Sequence, residues 1–168
     1  MNECVQIALW VAQPVVFPVI LDGDTGYGGI MAVRWMAEDY IHKGIADVEI
    51  DDQPIEGKRG TGTAGVGKQS LDVVLTRYRA AVDRKRELDP NFVVTAQCYL
   101  AEAAKGGFEE SLFRMKSYKE IAEVDWVQLT APRSVEQLKR ARDAVDGPFS
   151  IMQAYMDPLP LQRRICST

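Results

Sequence analysis

Short runs rich in β-branched and apolar residues alternate along this chain with longer segments of helical periodicity, and no other feature constrains its fold as strongly. Strands are predicted at residues 15–21, 46–53, 91–98, 126–130 and 148–153. Between the first two, Val33, Met36, Ala37 and Tyr40 form the apolar stripe of an amphipathic helix. Parallel strands need a long crossover, which is usually a helix. The sequence therefore predicts an α/β fold whose parallel sheet is covered by helices.

The length of the chain bears on how such a sheet is closed. A (β/α)₈ barrel of the TIM type takes about 250 residues, whereas this chain has 168. We therefore predict a single domain over residues 1–168, an incomplete TIM-type (β/α) barrel with about five βα units. An open, doubly wound sheet is the alternative. Trp35 and Trp126 are predicted to lie on core faces.

Charge and cysteine content exclude several classes of function. The chain has 20 Lys and Arg against 24 Asp and Glu, a net charge of −4, which gives no electrostatic attraction to nucleic acid or to an anionic membrane. Three cysteines and one histidine form neither a disulfide framework nor a zinc cage. The apolar stretch at residues 5–21 is interrupted by glutamines and prolines, so it is neither a membrane span nor a signal peptide. We expect a cytoplasmic protein.

Acidic residues end the first two predicted strands. Asp22 and Asp24 flank Gly23, and Asp51, followed by Asp52, ends the second strand. Residues i and i+2 of a strand point to the same side, so the carboxylates can converge on one hard cation such as Mg²⁺. In the alternative interpretation, the first two acids only cap the following turn and helix.

A glycine-rich, basic loop follows the second strand. Residues 54–68 contain five glycines and three basic side chains, Lys58, Arg59 and Lys68. Such a loop suits a lid that closes over an anionic substrate, although it can also be an exposed connector. Residues 62–68 nearly match the phosphate-binding GxxxxGK[ST] pattern, with Gln69 in place of the hydroxyl residue. A nucleotide-binding P-loop is therefore a further alternative.

Two residues at the end of the third predicted strand could also contact a ligand. Gln97 can donate hydrogen bonds to a substrate but brings no charge. Cys98 could face the same ligand, although free cysteines are more often small buried hydrophobes.

Together, residues 18–29 (PVILDGDTGYGG), residues 44–53 (GIADVEIDDQ) and the basic pair Lys58-Arg59 resemble the isocitrate lyase/phosphoenolpyruvate mutase superfamily. The resemblance implies a (β/α)₈ barrel that uses Mg²⁺, or Mn²⁺, and acts on a small 2-oxo or 2-hydroxy carboxylate. The implied reaction is C–C bond cleavage through a metal-stabilised enolate. A homo-oligomer is also expected.

Carried over by position, the resemblance implies that Asp22, Asp24 and Asp51 hold the metal and that Lys58 is the lysine that opens the lid. From their places in the sequence, we also expect Arg59 to act with Lys58 as a catalytic residue of the lid. Asp22, Gln97 and Cys98 are expected to contact the substrate.

The chain departs from the superfamily's pattern at three places. Isocitrate-cleaving members carry Cys-Gly-His after the basic pair, where this chain has Gly60-Thr61-Gly62. Gln97 stands on the strand where the superfamily has a carboxylate-binding arginine, and residues 1–13 do not match the superfamily's early strands. These departures favour a second hypothesis, a non-catalytic or truncated fragment that acts only as an oligomerising, metal-binding subunit.

Overall fold

The computed structural model describes residues 2–59, 66–99 and 107–152. Within these residues, five helices alternate with five strands. The helices are α1 (Asn2–Ala12), α2 (Ile30–His42), α3 (Leu71–Leu88), α4 (Gly107–Glu120) and α5 (Val135–Ala144). The strands are β1 (Ile20–Asp22), β2 (Asp47–Asp51), β3 (Val93–Cys98), β4 (Trp126–Thr130) and β5 (Phe149–Met152).

The five strands form one sheet in the order β1-β2-β3-β4-β5, and every neighbouring pair is parallel. Strands that follow each other in sequence are thus neighbours in the sheet, as in a TIM barrel. A doubly wound sheet would reverse its strand order at a switch point, and the described strands show no reversal. The prediction of a TIM-type α/β fold with about five βα units is therefore confirmed.

The two faces of the sheet have different chemistry because side chains alternate along each strand. One face packs on the helices, and its central residues, Val48 and Ile50 of β2 and Leu129 of β4, are fully buried. Burying side chains of this size contributes about 1.5–3 kcal/mol each. We call the opposite side the inner face; it carries a polar set of residues, Asp47, Glu49, Asp51, Thr95, Gln97 and Gln128.

The start of the chain differs from the sequence prediction. A strand is predicted from residue 15, but β1 begins only at Ile20, and residues 2–12, for which no element is predicted, form α1. Pro14 and Pro18 have no amide hydrogen to donate to a ladder, which favours a later start of the strand. Helix α1 buries Val5 and Ala8 in the main core. None of the described helices is long and apolar enough to cross a membrane.

The expected core positions of two tryptophans are wrong. Trp35 is 58% exposed and Trp126 is 38% exposed. The buried stripe of α2 consists of Val33, Met36, Ala37 and Tyr40. Because Trp35 lies between members of this stripe in sequence, the helical period turns its side chain away from the core.

Candidate functional site

The loop after β1 is held by the acids that end the strand. One carboxylate oxygen of Asp22 accepts a hydrogen bond from the amide of Asp24 at 2.7 Å, and Asp24 Oδ1 accepts one from the amide of Thr25 at 2.6 Å. Both acids therefore cap the turn, as the alternative interpretation predicted. Asp24 has φ of 52°, in the left-handed region that Asp and Asn tolerate better than most residues.

Glycine is required in this turn for steric reasons. Gly26 has φ of 92°, and a Cβ atom there would lie 2.4 Å from Cγ2 of Val33. A Cβ on Gly23 would lie 2.7 Å from Cγ2 of Val48. The turn consequently packs closely against α2 and β2. This packing fixes the position of Asp24, which lies between the two glycines.

Backbone hydrogen bonds join this loop to β2. The amide of Gly23 donates to the carbonyl of Glu49 at 2.7 Å, and the amide of Asp51 donates to the carbonyl of Asp24 at 2.8 Å. Asp24 and Asp51 are thereby placed side by side at the carboxyl end of the sheet. This is the part of a parallel α/β fold where ligands bind.

Lys58 lies between these two acids. Its Nζ is 2.9 Å from Asp24 Oδ1 and 2.8 Å from Asp51 Oδ2. The side chain of Asp51 is only 2% exposed, whereas that of Asp24 is 45% exposed. The two carboxylates and the ammonium form a compact ionic cluster at the edge of the inner face.

Burial and the ion pairs act in opposite directions on these groups. Burial raises the pKa of Asp51 and outweighs the opposing effect of Lys58. Burial also tends to raise the pKa of the more exposed Asp24, but the hydrogen bond from Lys58 prevails, and its pKa is lowered. Burial disfavours the charged form of Lys58, yet both carboxylates hold its pKa above the ordinary value.

The cluster fits a divalent cation, because Lys58 shows that oxygens of Asp24 and Asp51 converge on one positive charge. Carboxylate oxygens are the ligands that Mg²⁺ and Mn²⁺ prefer. Among residues 2–59, 66–99 and 107–152, no three His, Cys, Asp or Glu side chains are grouped so that they could hold a metal ion. A bound ion would therefore keep water or substrate ligands, as Mg²⁺ usually does.

The described ends of the predicted lid are fixed to the body of the protein. The buried Gln53 side chain donates to the carbonyl of Arg59 at 3.0 Å and accepts from its amide at 3.0 Å, while the Arg59 residue itself is exposed. Residues 60–65, which include most of the P-loop-like segment, lie outside the described residues. At the end of that segment, Lys68 pairs with Glu110 at 2.5 Å.

A buried arginine supports the end of β2. Arg77, only 4% exposed, donates from Nη1 to the carbonyls of Asp51 and Gln53, both at 3.1 Å. No role for this residue is predicted from the sequence. The sequence feature that could have identified it is the place of this arginine next to the apolar stripe of α3, where Val74 and Tyr78 are fully buried.

Gln97 belongs to a polar chain on the inner face that reaches across three strands. Its Nε2 donates to Gln128 Oε1 at 2.7 Å, and Gln128 Nε2 donates to Glu49 Oε1 at 2.8 Å. Burial and the charge of Asp22 raise the pKa of Glu49, against the hydrogen bond from Gln128. Glu49 and Gln128 are not among the site residues predicted from the sequence, although the polar residues at every second position of β2 indicate a polar face.

Cys98 does not share the inner face with Gln97. It is fully buried in the hydrophobic core, and its thiol hydrogen-bonds to Asp52. Asp52 is buried as well, and it accepts from the amide of Tyr99 at 2.9 Å and from the Tyr118 hydroxyl at 2.8 Å. Side chains alternate along a strand, so neighbouring residues cannot both face the ligand. The structure thus corrects the expected substrate contact of Cys98.

Comparison with known proteins shows what this chain is similar to. The family model of phosphoenolpyruvate phosphomutase matches residues 1–163. The 2,3-dimethylmalate lyase of Eubacterium barkeri is 31% identical over 149 residues, which cover 88% of this chain and 49% of that protein. The solved structure of oxaloacetate acetylhydrolase with the inhibitor 3,3-difluorooxalacetate has a TM-score of 0.82 and 33% identity, over 89% of this chain and 50% of the other.

A more distant solved structure shares the fold. Phosphonopyruvate hydrolase in complex with oxalate and Mg²⁺ has a TM-score of 0.77 at 21% identity, over 90% of this chain and 51% of the other. In each of these comparisons, the chain spans about half the length of the protein it matches.

Proposed function

Because this chain belongs to the phosphoenolpyruvate mutase/isocitrate lyase superfamily, we propose that it is a lyase that depends on a divalent metal ion and cleaves a C–C bond of a small 2-oxo or 2-hydroxy carboxylate. Relatives named for their substrates act on dimethylmalate and on oxaloacetate, which are small carboxylates. The observation that carries the proposal is the convergence of Asp24 and Asp51 on the single cation of Lys58.

Asp24 and Asp51, which converge on one cation, would hold Mg²⁺ or Mn²⁺ directly, and Asp22 at the end of β1 would contribute through a water ligand. When bound, the ion supplies a Lewis acid that stabilises negative charge developing on a substrate oxygen. The buried backbone contacts of Asp51 with Arg77 keep the strand end in place. The hydrogen bonds of the loop after β1 keep Asp22 and Asp24 in place.

Lys58 and Arg59 would act on the substrate from the lid side. An ammonium group that leaves the two carboxylates is available to pair with an anionic substrate and with the charge that develops in an enolate. Gln97 lies beside Asp51 in the sheet register and would orient the substrate by hydrogen bonds. Cys98 has no part in this proposal because it faces the core.

A second candidate is a metal-binding subunit without catalytic activity. The observation that favours it is Gln97, which brings no charge for a substrate carboxylate and already donates to Gln128 at 2.7 Å. The two candidates differ in turnover, which only the lyase shows.

Self-association is proposed on the basis of the sheet. β1 and β5 are the outer strands of the described sheet, and Ile20 at the start of β1 is 57% exposed. Unpaired strand edges of this kind pair readily with another chain. Sedimentation velocity over a range of concentrations should show a homo-oligomer, and a monomer at every concentration would contradict this proposal.

A thermal unfolding titration with Mg²⁺ and oxalate tests the site. Oxalate resembles the enolate of a small 2-oxo acid, and a ligand that binds only the folded state raises the unfolding midpoint. At ligand concentrations 100-fold above Kd we expect a rise of about 5–10 °C that requires both ligands. Asp24→Asn, which suits the left-handed backbone, should abolish the rise.

The matched control is Asp143→Asn, which removes an exposed acid of α5 far along the chain from the cluster. It should retain the full response. A folded protein that shows no response to the two ligands together would refute the proposed site.

A further inference from the structure

We propose that Glu49, Gln128 and Gln97 form a polar relay that ends in a hydrogen-bond acceptor and selects substrates whose distal group is a donor, such as a hydroxyl or a carboxamide, over substrates with a second carboxylate. This inference rests on the proposed function and narrows its substrate class. The three side chains are called the inner-face relay below.

The relay lies directly beside the ionic cluster. In the sheet register, Asp51 of β2 is paired with Gln97 of β3, and Gln97 is paired with Gln128 of β4. Neighbouring strands lie about 4.8 Å apart. A small substrate whose carboxylate end is bound to a metal ion at Asp24 and Asp51 would therefore reach the Gln97 side chain with its other end.

The carboxylate of Glu49 fixes the direction of the relay. A carboxylate only accepts hydrogen bonds, so Gln128 must present its amide nitrogen to Glu49, and that contact measures 2.8 Å. The carbonyl oxygen of Gln128 then faces Gln97, which must present its own amide nitrogen, at 2.7 Å. Turning the Gln97 amide around would bring two carbonyl oxygens together.

The outer end of the relay is consequently the carbonyl oxygen of Gln97, an acceptor. Gln97 is 4% and Gln128 8% exposed, so neighbouring atoms restrict both side chains. Nε2 of Gln97 also lies 3.7 Å from the sulfur of Met152 in β5, and this second contact keeps the nitrogen turned toward β4 and β5.

The charge of the relay disfavours a distal carboxylate on the substrate, as its hydrogen-bond polarity does. It contains one acid and two amides and no basic group. A distal carboxylate of a substrate would lie against the Gln97 carbonyl oxygen with no donor hydrogen between the two acceptors. It would also lie close to the carboxylate of Glu49, at the far end of the relay. A hydroxyl or carboxamide would instead donate to that oxygen and satisfy it. Polar groups left unpaired on binding are the strongest source of discrimination between similar substrates.

The test compares two ligands that differ only in the distal group, malate and its 4-monoamide. Isothermal titration of the full chain in the presence of Mg²⁺ gives Kd for each, and oxalate, which has no distal group, reports on the metal site alone. We expect the monoamide to bind at least about 10-fold more tightly than malate.

Two variants and one control address the relay itself. Gln97→Arg should reverse the preference, because a guanidinium donates to carboxylate. Glu49→Gln, which keeps the size of the side chain, should reduce the preference, since the relay loses the group that sets its direction. Ser150→Ala, next to Gln128 in the register, should keep the preference.

The outcomes separate this inference from the proposed function. Oxalate binding together with equal or tighter binding of malate would overturn the relay and leave the metal site intact. An unchanged preference in a folded Glu49→Gln variant would overturn it as well. If oxalate does not bind in the presence of Mg²⁺, the proposed function fails and this inference fails with it.

Discussion

Lys58 sits at the position where a metal ion would bind. Its ammonium contacts Asp51, whose side chain is 2% exposed, and Asp24, which is more open to solvent. In the absence of a metal ion, this ammonium is what neutralises a nearly buried carboxylate. Lys58 therefore stabilises the metal-free protein, and under the proposed function it would compete with the ion for the same oxygens.

Replacing Lys58 by methionine should separate these two effects. Without Mg²⁺, Lys58→Met should lower the free energy of unfolding by about 1–3 kcal/mol, because Asp51 is left buried without its partner. Addition of Mg²⁺ should raise the unfolding midpoint more in this variant than in the unmodified protein, because the competing cation is gone. Urea denaturation with and without Mg²⁺ measures both quantities.

The matched control is Lys68→Met, which removes a lysine that is 41% exposed and pairs with Glu110. Exposed ion pairs contribute less than about 1 kcal/mol. Its response to Mg²⁺ should equal that of the unmodified protein. An unchanged Mg²⁺ response in Lys58→Met would show that Lys58 does not compete with the ion.

Asp47 should make stability depend on pH. Burial, together with the charges of Glu49 and Asp125 and against the hydrogen bond from Thr95, raises its pKa from 3.8 to about 7. Between these values the unfolded chain has lost the proton while the folded protein keeps it. The contribution of this residue to stability therefore falls as pH rises from 4 to 7 and is constant above that range.

The Asp47→Asn variant has no proton to lose, so it should gain stability relative to the unmodified protein over the same range. We expect the difference to reach about 1–3 kcal/mol at pH 8. Urea denaturation at intervals between pH 4 and 8 measures it. A difference that stays constant with pH would contradict the assignment.

Individual site residues could be predicted from the sequence only where local rules apply. The proximity of Asp24 and Asp51 follows from their places at the ends of consecutive parallel strands. The contact between Glu49 and Gln128 joins β2 to β4 across β3. It depends on the register and curvature of the sheet, which periodicity does not encode.

At the level of elements, the helices differ in how their first turns are capped. The side-chain oxygen of Ser134 accepts a hydrogen bond from the amide of Gln137 at 3.1 Å, whereas Ser70, the residue before α3, has no such cap. Ser134→Ala should therefore lower the free energy of unfolding by about 1 kcal/mol. Urea denaturation measures the change.

Ser70→Ala is the comparison for this prediction. It removes the same hydroxyl from the equivalent position of α3 and should cost less than about 0.5 kcal/mol. Equal losses in the two variants would mean that the hydrogen bond to Gln137 is not the source of the effect.

Helices and strands with strong periodicity were predictable from the sequence, whereas α1, the first element of the chain, was not. Helix α3 and strand β3 follow an apolar stripe and a run of β-branched residues, so their type was evident. In residues 2–19, apolar residues are dense and two prolines interrupt them, which hides the period of α1. A short apolar run does not distinguish a strand from a buried helix.

At the scale of the whole molecule, the spacing of strands and helices was enough to predict a parallel sheet, and the sequential strand order settles between a barrel and a doubly wound sheet. That order was not accessible from the sequence, because crossover lengths are compatible with both folds. The chain matches about half the length of the dimethylmalate lyase, and the proposed function depends on the acids of β1 and β2 in this matched part of the chain.

The proposed function requires Asp24 and Asp51, with Asp22 acting through water, to hold a divalent cation in the place of the Lys58 ammonium. The most direct measurement is anomalous X-ray scattering from crystals of this chain grown with Mn²⁺. We expect a manganese peak within coordination distance, about 2.2 Å, of carboxylate oxygens of Asp24 and Asp51, with Lys58 moved away. An anomalous map with no peak there, or with manganese bound elsewhere and Lys58 still between Asp24 and Asp51, would contradict it.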